Sequence, residues 1–274
     1  MRIGRLNLEI PVVMGILNIT PDSFSDGGRF LARDDALAQA EAMLQSGASI
    51  IDVGGESTRP GAQQVSAAEE IERVVPIIEA IHNMTDAPVS IDTSKADVMR
   101  AAVEAGAAMV NDVRALREAG AVAAAADLGV VVCLMHMQGN PRTMQEEPHY
   151  EDVTLDVRDF LASRIETCID AGIDRERMVI DPGFGFGKSY RHNVELLMNL
   201  RQLTDLGQPL MVGLSRKSML GEMTGRDTGD RIPASIAAAV IAVQAGADIL
   251  RVHDVAETVE ALKVTQAIAK ARQS

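Results

Sequence analysis

The sequence predicts a (β/α)8 barrel, and three observations predict it. Eight short apolar runs alternate with segments of helical period, and each run ends on a polar or charged residue. Those ends fall near Asn18, Asp52, Asp92, Asn111, His136, Asp181, Ser215 and His253, a step of roughly 34 residues, the size of one strand and its crossover helix. A fragment recurs ahead of the second, fourth and eighth runs, as QSGASIIDV, EAGAAMVND and QAGADILRV. In each, a helix stops at glycine and a strand follows at once. Such alternation means a parallel sheet, and eight units in about 250 residues suit a closed barrel. A doubly wound open sheet is the alternative.

The elements follow in order. Residues 2 to 10 alternate weakly and read as a small hairpin before the main fold. Val12 to Asn18 is the first strong strand, and the Ser, Asp, Gly and Pro of ITPDSFSDGGRF make a loop. Asp34 to Gln45 has Leu37, Ala40, Met43 and Leu44 on one helical face, and Gly47 stops it. Ser49 to Val53 is the second strand, and GGESTRPGAQQV the second loop. Ser66 and Glu69 form a capping box that opens a helix to about His82. Val89 to Asp92, Met109 to Val113 and Val130 to Met135 are the next strands, separated by helices from about Lys95 to Ala105 and Glu118 to Leu128. A longer loop precedes a helix from Val153 to Ala171. Met178 to Asp181, Pro209 to Leu214 and Ile249 to His253 complete the strands. Helices are expected from about Asn193 to Thr204, from Pro233 to Gln244, and from a capping box at Asp254 and Glu257 to Ala271. Nothing in the composition divides residues 1–274, so one domain is expected.

The chain is 47% hydrophobic and 24% charged, with a net charge of −13. That balance suits a globular chain, and its acidity argues against nucleic acid or an anionic membrane as partner. Cys133 and Cys168 lack metal-site spacing and read as reduced thiols of a cytoplasmic protein. Neither a signal peptide nor a membrane span is expected.

The chain turns on MVIDPGFGFGKS, Met178 to Ser189. A short strand stops at Asp181, and three alternating glycines allow a close approach of backbone to ligand. The ending Gly187-Lys188-Ser189 invites comparison with a phosphate-binding P-loop, but that pattern needs glycine at position 182, which is proline. Strand ends of a barrel build its active site. Here they carry Asn18, Asp52, Asp92, Asn111, Asp181, Lys217, Arg251 and His253. Carboxylates are disfavoured in buried strands, so Asp92, Asn111 and Asp181 on three strands point to a site; Asp52 reads equally as a residue that holds a loop. Two acids, an amide and a lysine suit a flat polar heterocycle edged with N–H donors. Arg251, His253 and Asn18 suit an anion such as phosphate, with His253 as general base the alternative. His82, His149, Tyr150 and His192 read as surface residues, and His136 as a neighbour of the site.

The segments VMGILNITPDSFSDGG, IIDVGGESTRPGA, SIDTSKADVMRAA, VNDV, CLMHMQGNPRTMQ, DPGFGFGKS, GLSRKSMLG and RVHDV together resemble dihydropteroate synthase, in its single-function bacterial form, over nearly the whole chain. The resemblance implies a homodimeric barrel, the target of sulfonamides. It would join 6-hydroxymethyl-7,8-dihydropterin diphosphate to 4-aminobenzoate with Mg2+ in folate biosynthesis. It assigns Asp92, Asn111, Val113, Met135, Asp181, Gly213 and Lys217 to the pterin. Asn18, Arg251 and His253 go to the diphosphate, with Asn18 also on Mg2+. Phe24, Thr58, Arg59, Pro60, Phe186 and Ser215 go to 4-aminobenzoate. The catalytic group would be Asp92, Lys217, Arg251, His253 and Arg59. No nucleophile is needed if a pterin methylene cation forms and Asp92 stabilises it. The loops Ile19–Phe30 and Gly54–Val65 are expected to settle around diphosphate and Mg2+ before aminobenzoate binds. Two rivals share the pterin slot. A methyltransferase using methyltetrahydrofolate needs neither STRPG nor SRKS, and a non-catalytic pterin-binding paralogue should show damaged loops.

Overall fold

The structure, a computed structural model, describes residues 1–4, 6, 7, 9, 11–19, 29–57, 64–139, 144 and 147–271. A two-stranded antiparallel hairpin, β1 (Arg2–Ile3) and β2 (Leu6–Asn7), comes first. The barrel strands are β3 (Val12–Asn18), β4 (Ile50–Gly54), β5 (Val89–Asp92), β6 (Ala107–Asp112), β7 (Val131–Met135), β8 (Met178–Asp181), β9 (Met211–Val212) and β10 (Ile249–Val252). All eight pair in parallel with their neighbours, β10 lying between β9 and β3. A parallel bridge from Ile180 to Leu210 joins the two remaining edges and closes the barrel.

Period-two alternation sorts the side chains. Val12, Met14, Ile50, Met109, Val131, Cys133, Val179, Met211 and Ile249 form one buried cluster inside the barrel. Ile3 of the hairpin is fully buried in the same cluster. The hairpin is thus a plug for the barrel interior rather than an appendage. The residues between them, such as Val13, Ile51, Ile91, Val110, Leu134, Ile180 and Leu250, pack in the larger core beneath the helices.

Those helices are α1 (Arg29–Gln45), α2 (Ala67–Met84), α3 (Ala96–Glu104), α4 (Ala121–Leu128), α5 (Val153–Asp170), α6 (Tyr190–Met198), α7 (Ser218–Thr224), α8 (Ile232–Gln244) and α9 (Val255–Ala271). The recurring sequence fragment has a physical cause. Gly47, Gly106 and Gly246 follow α1, α3 and α8 with φ of 98°, 112° and 105°, which L side chains rarely adopt. After α1 and α8 the next N–H reaches back, Ala48 to Met43 and Ala247 to Ala242, both at 2.9 Å. This is the bonding of a Schellman stop.

Several boundaries depart from expectation. α4 starts at Ala121 because a turn comes first, with Ala115 and Leu116 at positive φ. The Asp112 carboxylate holds that turn by accepting the N–H groups of Arg114 and Leu116 at 2.8 Å. β9 is two residues rather than six. α6 starts at Tyr190, where Ser189 and His192 form a reciprocal capping box, and a 3-10 helix, Leu200–Leu206, follows it. α7 was unexpected. The Asp254 carboxylate, expected to cap α9, instead binds Arg216, whose Nε lies 3.1 Å away.

Candidate active site

Inward-facing residues at the C-terminal strand ends form a polar floor above the apolar plug. Asp52, Asp92, Asn111 and Asp181 are buried there with exposures of 0, 9, 3 and 4%. Register sets them side by side: Asp92 pairs with Asn111 across β5 and β6, and Met135 with Asp181 across β7 and β8. Arg251 crosses the floor from β10. Its Nε donates to Asp52 Oδ2 at 2.6 Å, and its Nη2 to Asp92 Oδ2 at 2.7 Å. Asn111 Nδ2 donates to the same Asp52 oxygen at 3.2 Å. Asp52 therefore holds the site together instead of holding a loop.

One guanidinium serves two buried carboxylates, and the charges respond. Burial pushes Asp92 up to about 7, against the pull of Arg251, and the charge of Asp52 adds to the rise. Burial works against the charge of Arg251, yet Asp52 and Asp92 leave its pKa above the ordinary guanidinium value. Burial also raises Asp181, whose Oδ1 accepts the Gly183 N–H at 2.7 Å.

An apolar cluster stands beside the floor. Val113, Met135, Met137 and Met144 form a buried cluster, and Phe186 packs against it. Lys217 Nζ lies 4.4 Å from the centroid of the Phe186 ring, in cation–π range. Burial lowers this lysine to about 8, although Asp181 opposes the shift. A Cβ added at Gly213 would meet nothing within 4 Å, so this strand end leaves open space.

The anion side adjoins the end of the chain segment that carries Ser215. Ser215, expected at the aminobenzoate, is buried beside His253, its Oγ 3.1 Å from His253 Nδ1. Burial, then Arg216 and Arg251, depress His253 to about 4, so it offers an N–H rather than a charge at neutral pH. Arg216 sits at φ 60°, held by Asp254 and by Ser235 Oγ, which accepts its N–H at 3.0 Å. That strained turn presents Lys217 at the start of α7. Asn18 is exposed at the end of β3, and a Cβ added at Gly54 would lie 3.6 Å from both Asn18 Oδ1 and Asp92 Cβ. Gly54 thus brings the anion side and the floor together.

Phe24, Thr58, Arg59 and Pro60 lie outside the described residues, as do Asp22 and Asp26. The ends of the second loop are described. Lys95 pairs with Glu56 and with buried Glu70, and Glu56 Oε1 accepts the Val65 N–H at 3.3 Å.

Two residues escaped sequence reasoning. Lys188 is 2% exposed, and its Nζ lies 2.9 Å from His136 Nδ1. Its signal was present in the Gly-Lys-Ser ending, set aside when the P-loop spacing failed. Tyr150, read as a surface residue, is partly buried. Its hydroxyl donates to the Gly187 carbonyl at 2.6 Å, and its ring packs against His136 and His192.

A family model described as pterin binding enzyme matches residues 14–253. The chain is 54% identical over 266 residues to dihydropteroate synthase of Haemophilus influenzae, covering 97% of each. It is 51% identical over 269 residues to that of Escherichia coli, covering 98% of this chain and 95% of the relative. It superposes on Yersinia pestis dihydropteroate synthase in complex with a sulfonamide drug with a TM-score of 0.94, at 50% identity over 98% of this chain and 99% of that one. The Xanthomonas albilineans enzyme with 4-aminobenzoic acid gives 0.91, at 53% identity over 96% and 95%. The same enzyme in complex with 7,8-dihydropteroate gives 0.88, at 50% identity over 96% and 95%. By sequence and by fold, the chain belongs to the dihydropteroate synthases, a family of pterin-binding enzymes.

Proposed function

We propose that the chain condenses 6-hydroxymethyl-7,8-dihydropterin diphosphate with 4-aminobenzoate, giving 7,8-dihydropteroate and diphosphate, as a transferase of folate biosynthesis. The observation that carries this reading is the floor of Asp52, Asp92, Asn111, Asp181, Lys217 and Arg251 set beside the Val113, Met135 and Phe186 slot. The carboxylates accept from ring N–H and amino groups, and Lys217 donates to a ring carbonyl. The apolar slot takes the faces of the heterocycle and leads to the aminobenzoate at Phe186, with Phe24, Thr58, Arg59, Pro60 and Ser215 assigned to the same end.

In the reaction, the C–O bond to diphosphate breaks with its electron pair going to the leaving group. The methylene carbon becomes electron-poor, and the Asp92 carboxylate, fixed by Arg251, stabilises that charge. The neutral aromatic amine then forms the C–N bond and releases one proton. Arg251 uses Nε and Nη2 on the two aspartates, and Nη1 is its donor for a phosphate oxygen. His253 and the Asn18 amide complete the anion contacts, and Arg59 joins from the second loop.

Mg2+ fits this donor set. Among the described residues no group of three His, Cys, Asp or Glu could hold a metal. Mg2+ keeps several waters and is usually bound through one or two carboxylates plus substrate phosphates, so here the diphosphate would supply most of its charged oxygens. The exposed Asn18 carboxamide is the protein oxygen assigned to it. When bound, the ion would neutralise charge on the diphosphate.

A homodimer is part of the reading. Met198 on α6, Met223 on α7 and Ile241 on α8 are 79, 45 and 50% exposed on neighbouring helices, an apolar face suited to a second copy. Both cysteines are free and buried, and no helix among the described residues is long and apolar enough to cross a membrane; we place the protein in the cytoplasm, where sulfonamides would compete with aminobenzoate. The test is product formation. Purified protein with both substrates and Mg2+ should release dihydropteroate and diphosphate, and omission of either substrate should abolish it. No product with all three present would refute the assignment.

A further inference from the structure

Lys188 lies in the Met178–Ser189 segment, and the reaction above does not use it. It is almost fully buried, and what surrounds Nζ is two carbonyls and an imidazole. Nζ donates to Gly183 O at 2.9 Å and to Phe186 O at 3.1 Å, and lies 2.9 Å from His136 Nδ1. Burial lowers this lysine to about 7, and the charge of Asp181 opposes the shift; its ammonium form has three donors, and three acceptors are in reach. Burial depresses His136 to about 2, so its ring is neutral, and Nδ1 accepts in the tautomer that carries its proton on Nε2.

The loop these bonds secure is pressed against the segment that follows β7, His136 to Gln138. A Cβ at Gly183 would fall 1.9 Å from the His136 carbonyl oxygen, and one at Gly187 would fall 2.6 Å from that of Gln138. Asn193 Oδ1 accepts the Gly185 N–H at 2.7 Å, and Tyr150 donates to Gly187 O. The loop carries Phe186 between two lysines. Its carbonyl is on Lys188, and its ring is under Lys217.

We infer that Lys188 is a positioning residue for the second substrate. By clamping the Gly183 and Phe186 carbonyls to His136, it sets the Phe186 ring in the slot where the aryl amine must stack. Lys188 touches neither substrate and acts through Phe186. The inference rests on the functional reading given above, which places aminobenzoate at Phe186.

The experiment is a double-mutant cycle on turnover. Lys188→Met and Phe186→Ala are made singly and together, and steady-state kinetics are taken with each substrate varied. K188M is expected to raise the KM for aminobenzoate about tenfold, with kcat at saturation within about threefold of wild type. The double variant should be no worse in that KM than F186A alone, because both remove one interaction. A merely structural lysine would lower the melting temperature and the active fraction, and so kcat, while leaving KM unchanged. Lys188→Gln, which keeps a donor for a carbonyl, is measured alongside and carries the cycle if K188M does not fold. An unchanged aminobenzoate KM, or effects of the two single variants that multiply in the double, would overturn the inference. Wild-type turnover in the same assay tests the functional reading separately.

Discussion

Asn111 donates its side-chain N–H to the Asp52 carboxylate at 3.2 Å. The bond orients an amide whose two ends differ in hydrogen-bond character, and it leaves Asn111 Oδ1 as an acceptor for the ligand. The same Asp52 oxygen takes Arg251 Nε, so one buried atom orients both an amide and a guanidinium.

Asp52→Asn should therefore weaken pterin binding although Asp52 is beneath the site. Removing one side of a buried charged pair costs about 2–5 kcal/mol. Calorimetry with the pterin alcohol should show at least a tenfold loss; affinity within threefold of wild type would mean that Asp52 does not orient the floor.

Arg251→Ala distinguishes an anion contact from a shared one. A residue serving only diphosphate would spare the pterin alcohol when removed. Arg251 also neutralises Asp52 and Asp92, so its loss leaves two buried carboxylates facing each other. Both ligands should weaken, and stability should fall by about 3–5 kcal/mol, the cost of breaking a buried pair. Normal binding of the alcohol together with an unchanged melt would contradict this.

The pH profile follows from two groups. The Asp92 carboxyl, raised to about 7, is ionised only above that pH, and Lys217, lowered to about 8, is protonated only below its own. With aminobenzoate saturating, kcat/KM for the pterin diphosphate should rise with pH through about 7 and fall above about 8, reporting free-enzyme groups. Asp92→Asn should remove the rising limb; a profile that keeps it would assign that limb to another group.

Gly213 offers a test of the slot itself. Because its Cβ direction is open, Gly213→Val should fold normally, with stability changed by about 1 kcal/mol at most. The valine would occupy ligand space. At least a tenfold loss of pterin affinity with a near-native melt is expected; tight binding would move the pterin away from β9.

Local pattern was sufficient for much of this molecule. The eight units, the polar rim at the strand ends, and the roles of Gly47, Gly106 and Gly246 depend on side-chain period and on single backbone conformations, which neighbouring residues determine. Family resemblance then named the ligands. The partners of those polar residues were another matter. Asp52 and Arg251 are 199 residues apart, and they meet because β10 pairs with β3 and β3 with β4 when the barrel closes. Lys188 read as the end of a failed motif until Gly183 and Gly187 packed against the segment after β7 and buried it with His136. The same closure made the hairpin a plug through Ile3 and turned Tyr150 inward. A sequence determines which groups must be hidden from water and which must find partners. Which partner each one finds depends on strand order and register, and those exist only once the barrel has closed.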